Sequence, residues 1–399
     1  MKNFSEIKNS YDANILATYG RFPVDFEKGA GCRLFSSDGK EYIDFASGIG
    51  VNSVGHSHPK WVDAVARQTH ELAHVSNLFY TKPGAILAQK LCEISGMDGV
   101  FFCNSGAEAV EGVIKLARKY SFDKYGAGRH NIITLVGSFH GRLGASLRAT
   151  GQPEKFHKEY FAPFMEGFFH VPANDFSALE KFANENEKNI CAFLFEPILG
   201  EGGVVPLCEE YLKKAAALCE KNDWLLIADE VQTGIARVGE WFAFQDCKIK
   251  PDAVTFAKGI AGGLPLGGFL CGEKVRTTLG AGDHGTTYGG NLICAAAANA
   301  TLEILEPILS EIKEKGAYIC EKIHAMNLSC VKEIRARGLM IGIKLQSVAH
   351  TEAVAKLLEA GLVTLPAGAD VLRFLPPLTI EKTDIDAGLE ILKKTLRGI

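Results

Sequence analysis

No run of about 18 uncharged apolar residues occurs in the chain, so no transmembrane helix is expected. No CxxC pair occurs among the eleven cysteines, an odd number scattered along a chain too large to need covalent staples. They read as reduced, mostly buried thiols rather than a disulfide framework. Charge of neither sign dominates. The 43 basic and 47 acidic side chains leave a net charge of −4, and nothing asks for a nucleic-acid or membrane partner. The opening Met1-Lys2-Asn3-Phe4-Ser5-Glu6 lacks the apolar core of a signal peptide, and the expected location is the cytoplasm. Internal repeats and low-complexity tracts are also missing. What is present is 399 residues, 47% hydrophobic and 23% charged, the make-up of a globular protein with room for two or three domains and a large core.

Short apolar runs alternate with amphipathic helical patterns from about residue 99 to 305. The strand candidates are 100–103, 132–136, 192–195, 224–228 and 253–256, and their nearly continuous apolar character suits parallel strands covered on both faces. Helices are expected at 106–121 and 206–222, the second with Leu207, Tyr211, Ala215 and Leu218 on one face. The pattern predicts an α/β domain with a mainly parallel sheet. The last ninety residues predict a smaller α+β domain: helix 310–325, strand 339–345, a helix near 351–360, strand 371–375 and a final helix. That last helix opens on a Thr383…Asp386 capping-box pattern and carries Ile385, Leu389, Leu392 and Leu396 at helical spacing. Residues 1–50, with strand-like 31–35 and 41–45, are expected to join residues 306–399 in that small domain, leaving 51–305 as the large one.

Three pieces of sequence carry chemistry. Asp229-Glu230 ends the 224–228 strand and puts a carboxylate at a sheet's carboxyl edge, where α/β sheets bind ligands. Lys258 follows the next strand and is trailed by Gly259, Gly262 and Gly263, so a tight loop holds an amine near the same edge. Asn104-Ser105-Gly106-Ala107 joins a strand to a helix, and the free N–H groups and dipole of a helix start suit a phosphate. An aldehyde cofactor with a phosphate and a pyridine nitrogen needs these three parts: a lysine for covalent attachment, a carboxylate to keep the ring nitrogen protonated, and an anion-binding helix end. Taken singly, each piece is better read as a loop cap, a solvated lysine or a turn; their joint order along one alternating α/β stretch favours the cofactor.

In order along the chain stand Thr18-Tyr19-Gly20-Arg21-Phe22-Pro23-Val24, Gly55-His56-Ser57-His58-Pro59, Ser76-Asn77-Leu78-Phe79-Tyr80, Ser105-Gly106-Ala107-Glu108-Ala109 and Phe139-His140-Gly141-Arg142. They continue with Glu196-Pro197 and Gly200-Glu201-Gly202-Gly203, Ala228-Asp229-Glu230-Val231-Gln232-Thr233-Gly234, Ala257-Lys258-Gly259, His284-Gly285-Thr286-Thr287-Tyr288-Gly289-Gly290-Asn291, and Arg373-Phe374-Leu375-Pro376-Pro377. In these blocks the whole chain resembles the class III, or ornithine-type, aminotransferases of fold type I. The resemblance implies pyridoxal 5'-phosphate as cofactor, carried by Lys258, which would also shuttle the reaction's proton. Asp229 would pair with the pyridinium nitrogen, Gln232 with the ring hydroxyl, and Phe139 and Val231 would sandwich the ring. Ser105, Gly106 and Ala107 would hold the phosphate. Thr287 would reach it from a second subunit, which implies a homodimer with shared active sites.

The implied activity moves the terminal amine of N-acetylornithine to 2-oxoglutarate, giving glutamate. Succinyldiaminopimelate, ornithine and 4-aminobutyrate are the alternative donors. The first half-reaction strips an amine from a carbon with no adjacent carboxylate, and the second builds one that has it. One pocket must therefore show a positive charge in one step and hide it in the other. The resemblance assigns the charge to Arg373 and the mask to Glu201. Arg142 would grip the remaining carboxylate through its planar fork, with Tyr19 at the acylated end. Val110, Leu199 and Leu292 stand where the family commonly has Asn, Gln and Pro.

Two other patterns compete. His70-Glu71-Leu72-Ala73-His74 fits HExxH, which would put two histidines on one helical face, but no third ligand follows and no metal is expected. Gly280-Ala281-Gly282-Asp283-His284-Gly285 fits GxGxxG without a preceding strand. His56 and His58 read as loop structure, since no cysteine or carboxylate cluster accompanies them.

Overall fold

The computed structural model describes residues 3–398. At its centre lie seven strands: β1 (Gly99–Cys103), β2 (Asn131–Leu135), β3 (Phe168–Val171), β4 (Ile190–Phe195), β5 (Leu225–Asp229), β6 (Ala253–Phe256) and β7 (Gly267–Cys271). Their order across the sheet is β1-β7-β6-β5-β4-β2-β3. β5 sits between β4 and β6, parallel to both, and all of its residues are buried, as the unbroken apolar run requires. Phe193, Phe195 and Trp224 are fully buried here, and each such side chain contributes roughly 1.5–3 kcal/mol of hydrophobic stabilisation.

Two strands escape the sequence pattern. β3 is an edge strand whose alternation is interrupted by His170. β7 begins on two glycines and runs antiparallel to both its neighbours, β6 and β1. Those glycines are dictated by packing: a Cβ on Gly267 would lie 2.7 Å from the Ser105 carbonyl oxygen, and one on Gly268 2.3 Å from that of Phe101. Helix Gly106–Tyr125 lies against β6 and β7, and helix Leu292–Leu305 packs on helices Pro59–Glu71 and Lys82–Ser95. No single helix among the described residues is long and apolar enough to cross a membrane.

A second, antiparallel sheet orders Val331–Arg337, Met340–Leu345, Val371–Phe374 and Leu365–Ala367. The first of these, largely charged and only partly buried, was not foreseen. A third sheet joins Lys28–Ala30, Arg33–Phe35 and Glu41–Asp44 to Leu362–Val363, so early strands pair directly with a late one. The final helix, Lys382–Arg397, buries Ile385, Leu389, Leu392 and Leu396 as its spacing predicts. Its expected capping box is absent. The N-cap is Glu381 with no side-chain bond, while Asp386 accepts from the Tyr318 hydroxyl at 2.6 Å. Helix 206–222 starts late, at Glu209, leaving Leu207 buried ahead of it.

Candidate active site

The carboxyl ends of β1, β2, β4, β5 and β6 open on one cavity of about 470 Å³, within the range of about 300–1,000 Å³ usual for small-molecule sites. Asp229, the last residue of β5, is buried at its floor. One of its oxygens accepts from the Thr255 hydroxyl at 2.8 Å and the Val231 N–H at 3.1 Å. The other faces Nδ1 of His140 at 2.7 Å. Since an unprotonated carboxylate only accepts, that pairing puts a proton on Nδ1 and leaves Nε2 of His140 buried without a partner. Three donors therefore fix the carboxylate's plane.

Lys258 also lines the cavity, just beyond β6. Its φ of +40° is a left-handed conformation that a side chain with a Cβ adopts only under constraint, and strain of this kind gathers at functional sites. Its ammonium makes no hydrogen bond or ion pair among the described residues. Burial pulls its pKa below the ordinary lysine value, helped by the positive Arg373 and opposed by Glu201, Glu196 and Asp229. The amine is thereby more available as a nucleophile and proton carrier.

Across the cavity helix Gly106–Tyr125 begins. Ser105 is its N-cap, accepting from the Glu108 N–H at 3.3 Å, while Glu108 reaches back to the Asn104 N–H at 2.8 Å and the Ser105 hydroxyl at 3.0 Å. The Ser105…Glu108 spacing is a capping-box signal legible in the sequence. Gly106 and Ala107 line the cavity with first-turn N–H groups that have no intrahelical acceptor. At Gly106 a Cβ would lie 2.7 Å from Val231 Cγ1, so only glycine lets the helix start approach the wall where Val231 stands.

Phe139, Val231, Gln232 and Arg142 complete the foreseen lining, and His140 and Glu196 join it unforeseen. Glu196 is buried and accepts from the N–H groups of Phe139 at 2.8 Å and Gly200 at 3.2 Å. Burial raises its pKa, with Asp229 adding to the rise and His140 opposing it. Both residues lie inside the motif blocks, but their partners are 89 and 57 residues away, beyond any local pattern.

Beside the cavity Arg373, 2% exposed, donates through one Nη1 to Glu201 at 2.6 Å and to Gln232 at 3.0 Å. Its Nε is buried without a partner. Burial works to raise the Glu201 pKa, yet Arg373 more than offsets it and holds the carboxyl below its usual range. Gly200 makes room: a Cβ there would lie 2.5 Å from Gln232. Leu199, next to this turn, is buried, as are Val110 and Leu292.

Two foreseen residues stand apart. Tyr19 is 70% exposed and Thr287 is exposed, and neither lines the cavity. The neighbouring Thr286 accepts from Asn104 at 3.1 Å. The HExxH premise fails locally, because helix Pro59–Glu71 ends before His74, which packs on Tyr288 instead. His56 is structural, bonded to Asp44 at 2.8 Å.

The family model described as Aminotransferase class-III matches residues 15–396. The acetylornithine aminotransferase of Haemophilus ducreyi is 48% identical over 388 residues, 96% of this chain and 97% of that protein. That of Methanocaldococcus jannaschii is 42% identical, covering 100% and 99%. An ornithine aminotransferase structure from Toxoplasma gondii, with partial occupancy of PLP at its active site, has a TM-score of 0.94 at 29% identity and covers 100% of this chain and 96% of its own. The acetylornithine aminotransferase of Elizabethkingia anophelis has a TM-score of 0.88 at 31% identity, covering both chains fully.

Proposed function

The chain belongs to the class-III aminotransferases, and on that premise we propose that it exchanges the terminal amine of N-acetylornithine with 2-oxoglutarate, giving N-acetylglutamate semialdehyde and glutamate in arginine biosynthesis. The observation that carries this reading is the Arg373–Glu201 pair: a buried cation beside the cavity, masked by a carboxylate that a substrate carboxylate can replace. An amine donor panel with 2-oxoglutarate as acceptor tests it, N-acetylornithine being expected to outrun succinyldiaminopimelate, ornithine and 4-aminobutyrate. Ornithine is the second reading, favoured by the fold match to the T. gondii enzyme. The 48% identity to an acetylornithine enzyme outweighs it.

Three features fit pyridoxal 5'-phosphate: an unpaired lysine amine, a buried carboxylate fixed by three donors, and a helix start that only Gly106 lets come close. When bound, that group supplies an electron sink and a carbonyl carbon on which the amine is carried. Lys258 holds the group and moves a proton to and from the substrate carbon. Asp229, oriented by His140 and Thr255, would keep a proton on the ring nitrogen. Gln232 would hydrogen-bond the ring hydroxyl, and Phe139 and Val231, which line the cavity, would flank the ring and exclude water from it. Gly106 and Ala107 would take the phosphate through their N–H groups, with the Ser105 cap, its hydroxyl engaged with Glu108, shaping the helix start beside it. Arg142 grips the distal carboxylate and Tyr19 the acylated end.

The working form is a homodimer in the cytoplasm. Leu78, Phe79 and Tyr80 are exposed at 86%, 66% and 107%, and Asn77 ties their segment to Thr286 and Gly289, beside the exposed Tyr288. A clustered apolar surface of this kind suits a second copy, and it would carry Thr287 to the neighbour's phosphate.

A further inference from the structure

The short helix Pro153–Phe156 has no part in the chemistry above, yet it packs behind Phe139, a residue of the cavity wall. The half-buried ring of Phe156 lies 5.4 Å from the ring of Phe139, at an interplanar angle of 60°. The guanidinium carbon of Arg142 stands 5.1 Å from the Phe156 centroid, and the Lys155 ammonium 5.0 Å from it. Both distances are within reach of a cation–π attraction. Arg142 is otherwise exposed and makes no ion pair or side-chain hydrogen bond among the described residues, so Phe156 is the contact that limits where its guanidinium goes.

The ring's own position is built. His157, the next residue, accepts through Nδ1 from Arg148 at 3.1 Å and donates through Nε2 to the Leu147 carbonyl at 2.9 Å. Leu147 and Arg148 lie in helix Gly144–Ala149, which begins two residues after Arg142. The segment bearing the platform is thus pinned to the segment bearing the arginine, through the Leu147 backbone carbonyl and the Arg148 side chain.

We propose that Phe156 is a positioning residue for substrate recognition: its ring, packed on Phe139, holds the Arg142 guanidinium at a set distance from the cavity floor and so selects amine substrates by the reach from reacting amine to distal carboxylate. This rests on the reading of Arg142 as the carboxylate grip. An unheld arginine pays more side-chain entropy on binding and accepts carboxylates over a wider range of reach.

The test compares N-acetylornithine with N-acetylputrescine, the same amine without its carboxylate, in Phe156→Leu, Phe156→Tyr, Arg142→Ala and the Phe156→Leu/Arg142→Ala double variant of the cofactor-loaded enzyme. For Phe156→Leu, KM for N-acetylornithine should rise about fivefold, with kcat nearly unchanged and kcat/KM for N-acetylputrescine within about twofold. Phe156→Tyr should restore KM, and the leucine change should add nothing once Arg142 is gone. Equal losses on both amines, or a leucine effect that persists without Arg142, would overturn the proposal and leave Phe156 as packing for Phe139. If Arg142→Ala itself fails to discriminate the two amines, the carboxylate-grip reading falls and this inference with it. If Arg142→Ala discriminates and Phe156→Leu does not, only this inference falls.

Discussion

Arg373 and Glu201 stand 172 residues apart in the chain and meet at 2.6 Å, the arginine buried and the glutamate partly open to solvent. The asymmetry matters. The buried partner cannot be left unpaired without a large desolvation cost, whereas the more exposed carboxylate can swing out when another takes its place. Glu201→Ala should therefore slow the N-acetylornithine half-reaction and preserve or improve the glutamate half-reaction. Arg373→Ala should do the reverse, costing the glutamate side about 2–5 kcal/mol. Single-turnover absorbance changes of the cofactor separate the two halves, and equal losses in both for both variants would reduce the pair to structural support.

Lys258 is the one amine lining the cavity among the described residues, strained at φ +40° and depressed in pKa by burial. The purified protein should be yellow, and borohydride should fix the cofactor to this lysine in a peptide map. Lys258→Ala should lose at least about 10²–10⁴-fold in transamination, the contribution usual for a positioned proton carrier. Label on any other lysine refutes the assignment.

Thr287 is exposed in a single chain, next to a cluster of exposed apolar side chains. If it completes a neighbour's site, mixing Lys258→Ala with Thr287→Ala subunits yields heterodimers with one site carrying both lesions and one carrying neither. Activity should then exceed that of either parent, approaching one quarter of the wild-type value as an order-of-magnitude statistical limit. No gain after verified subunit exchange rules out the shared site.

Glu230, 1% exposed, accepts from the Thr233 hydroxyl and from the N–H groups of Ala243 and Phe244. Burial nevertheless pushes its carboxyl up from 4.5 to about 7. Between those two values the folded protein keeps a proton that the unfolded chain has released. Stability is then fully supported below about pH 4.5 by this group and falls as pH rises toward 7, by roughly 1–3 kcal/mol. The melting temperature should decline over that window, and Glu230→Gln should flatten the decline without abolishing it, since Glu196 shifts the same way. An unchanged slope in the variant would contradict this origin.

Most of the parallel sheet could be read in advance because each of its central strands is a local apolar run: 225–229 and 253–256 declare themselves, and with them the placement of Asp229 and Lys258 at one edge. The helix start at Ser105-Gly106 was legible for the same reason, a few adjacent residues sufficing to end a strand and cap a helix. β7 was not, because its opening glycines answer to the Ser105 and Phe101 carbonyls across the sheet, and only those neighbours explain them. Nor was the Thr383…Asp386 box a cap: Tyr318 on another helix claims Asp386. The same holds in the site. His140 against Asp229, Glu196 between the Phe139 and Gly200 amides, and Phe156 under Arg142 join chain segments tens of residues apart or turn on side-chain direction. Periodicity and capping are local energies summed over a few residues, so the order of letters expresses them. Which carboxylate meets which donor depends on how strands and helices stack, and packing of the whole chain settles that.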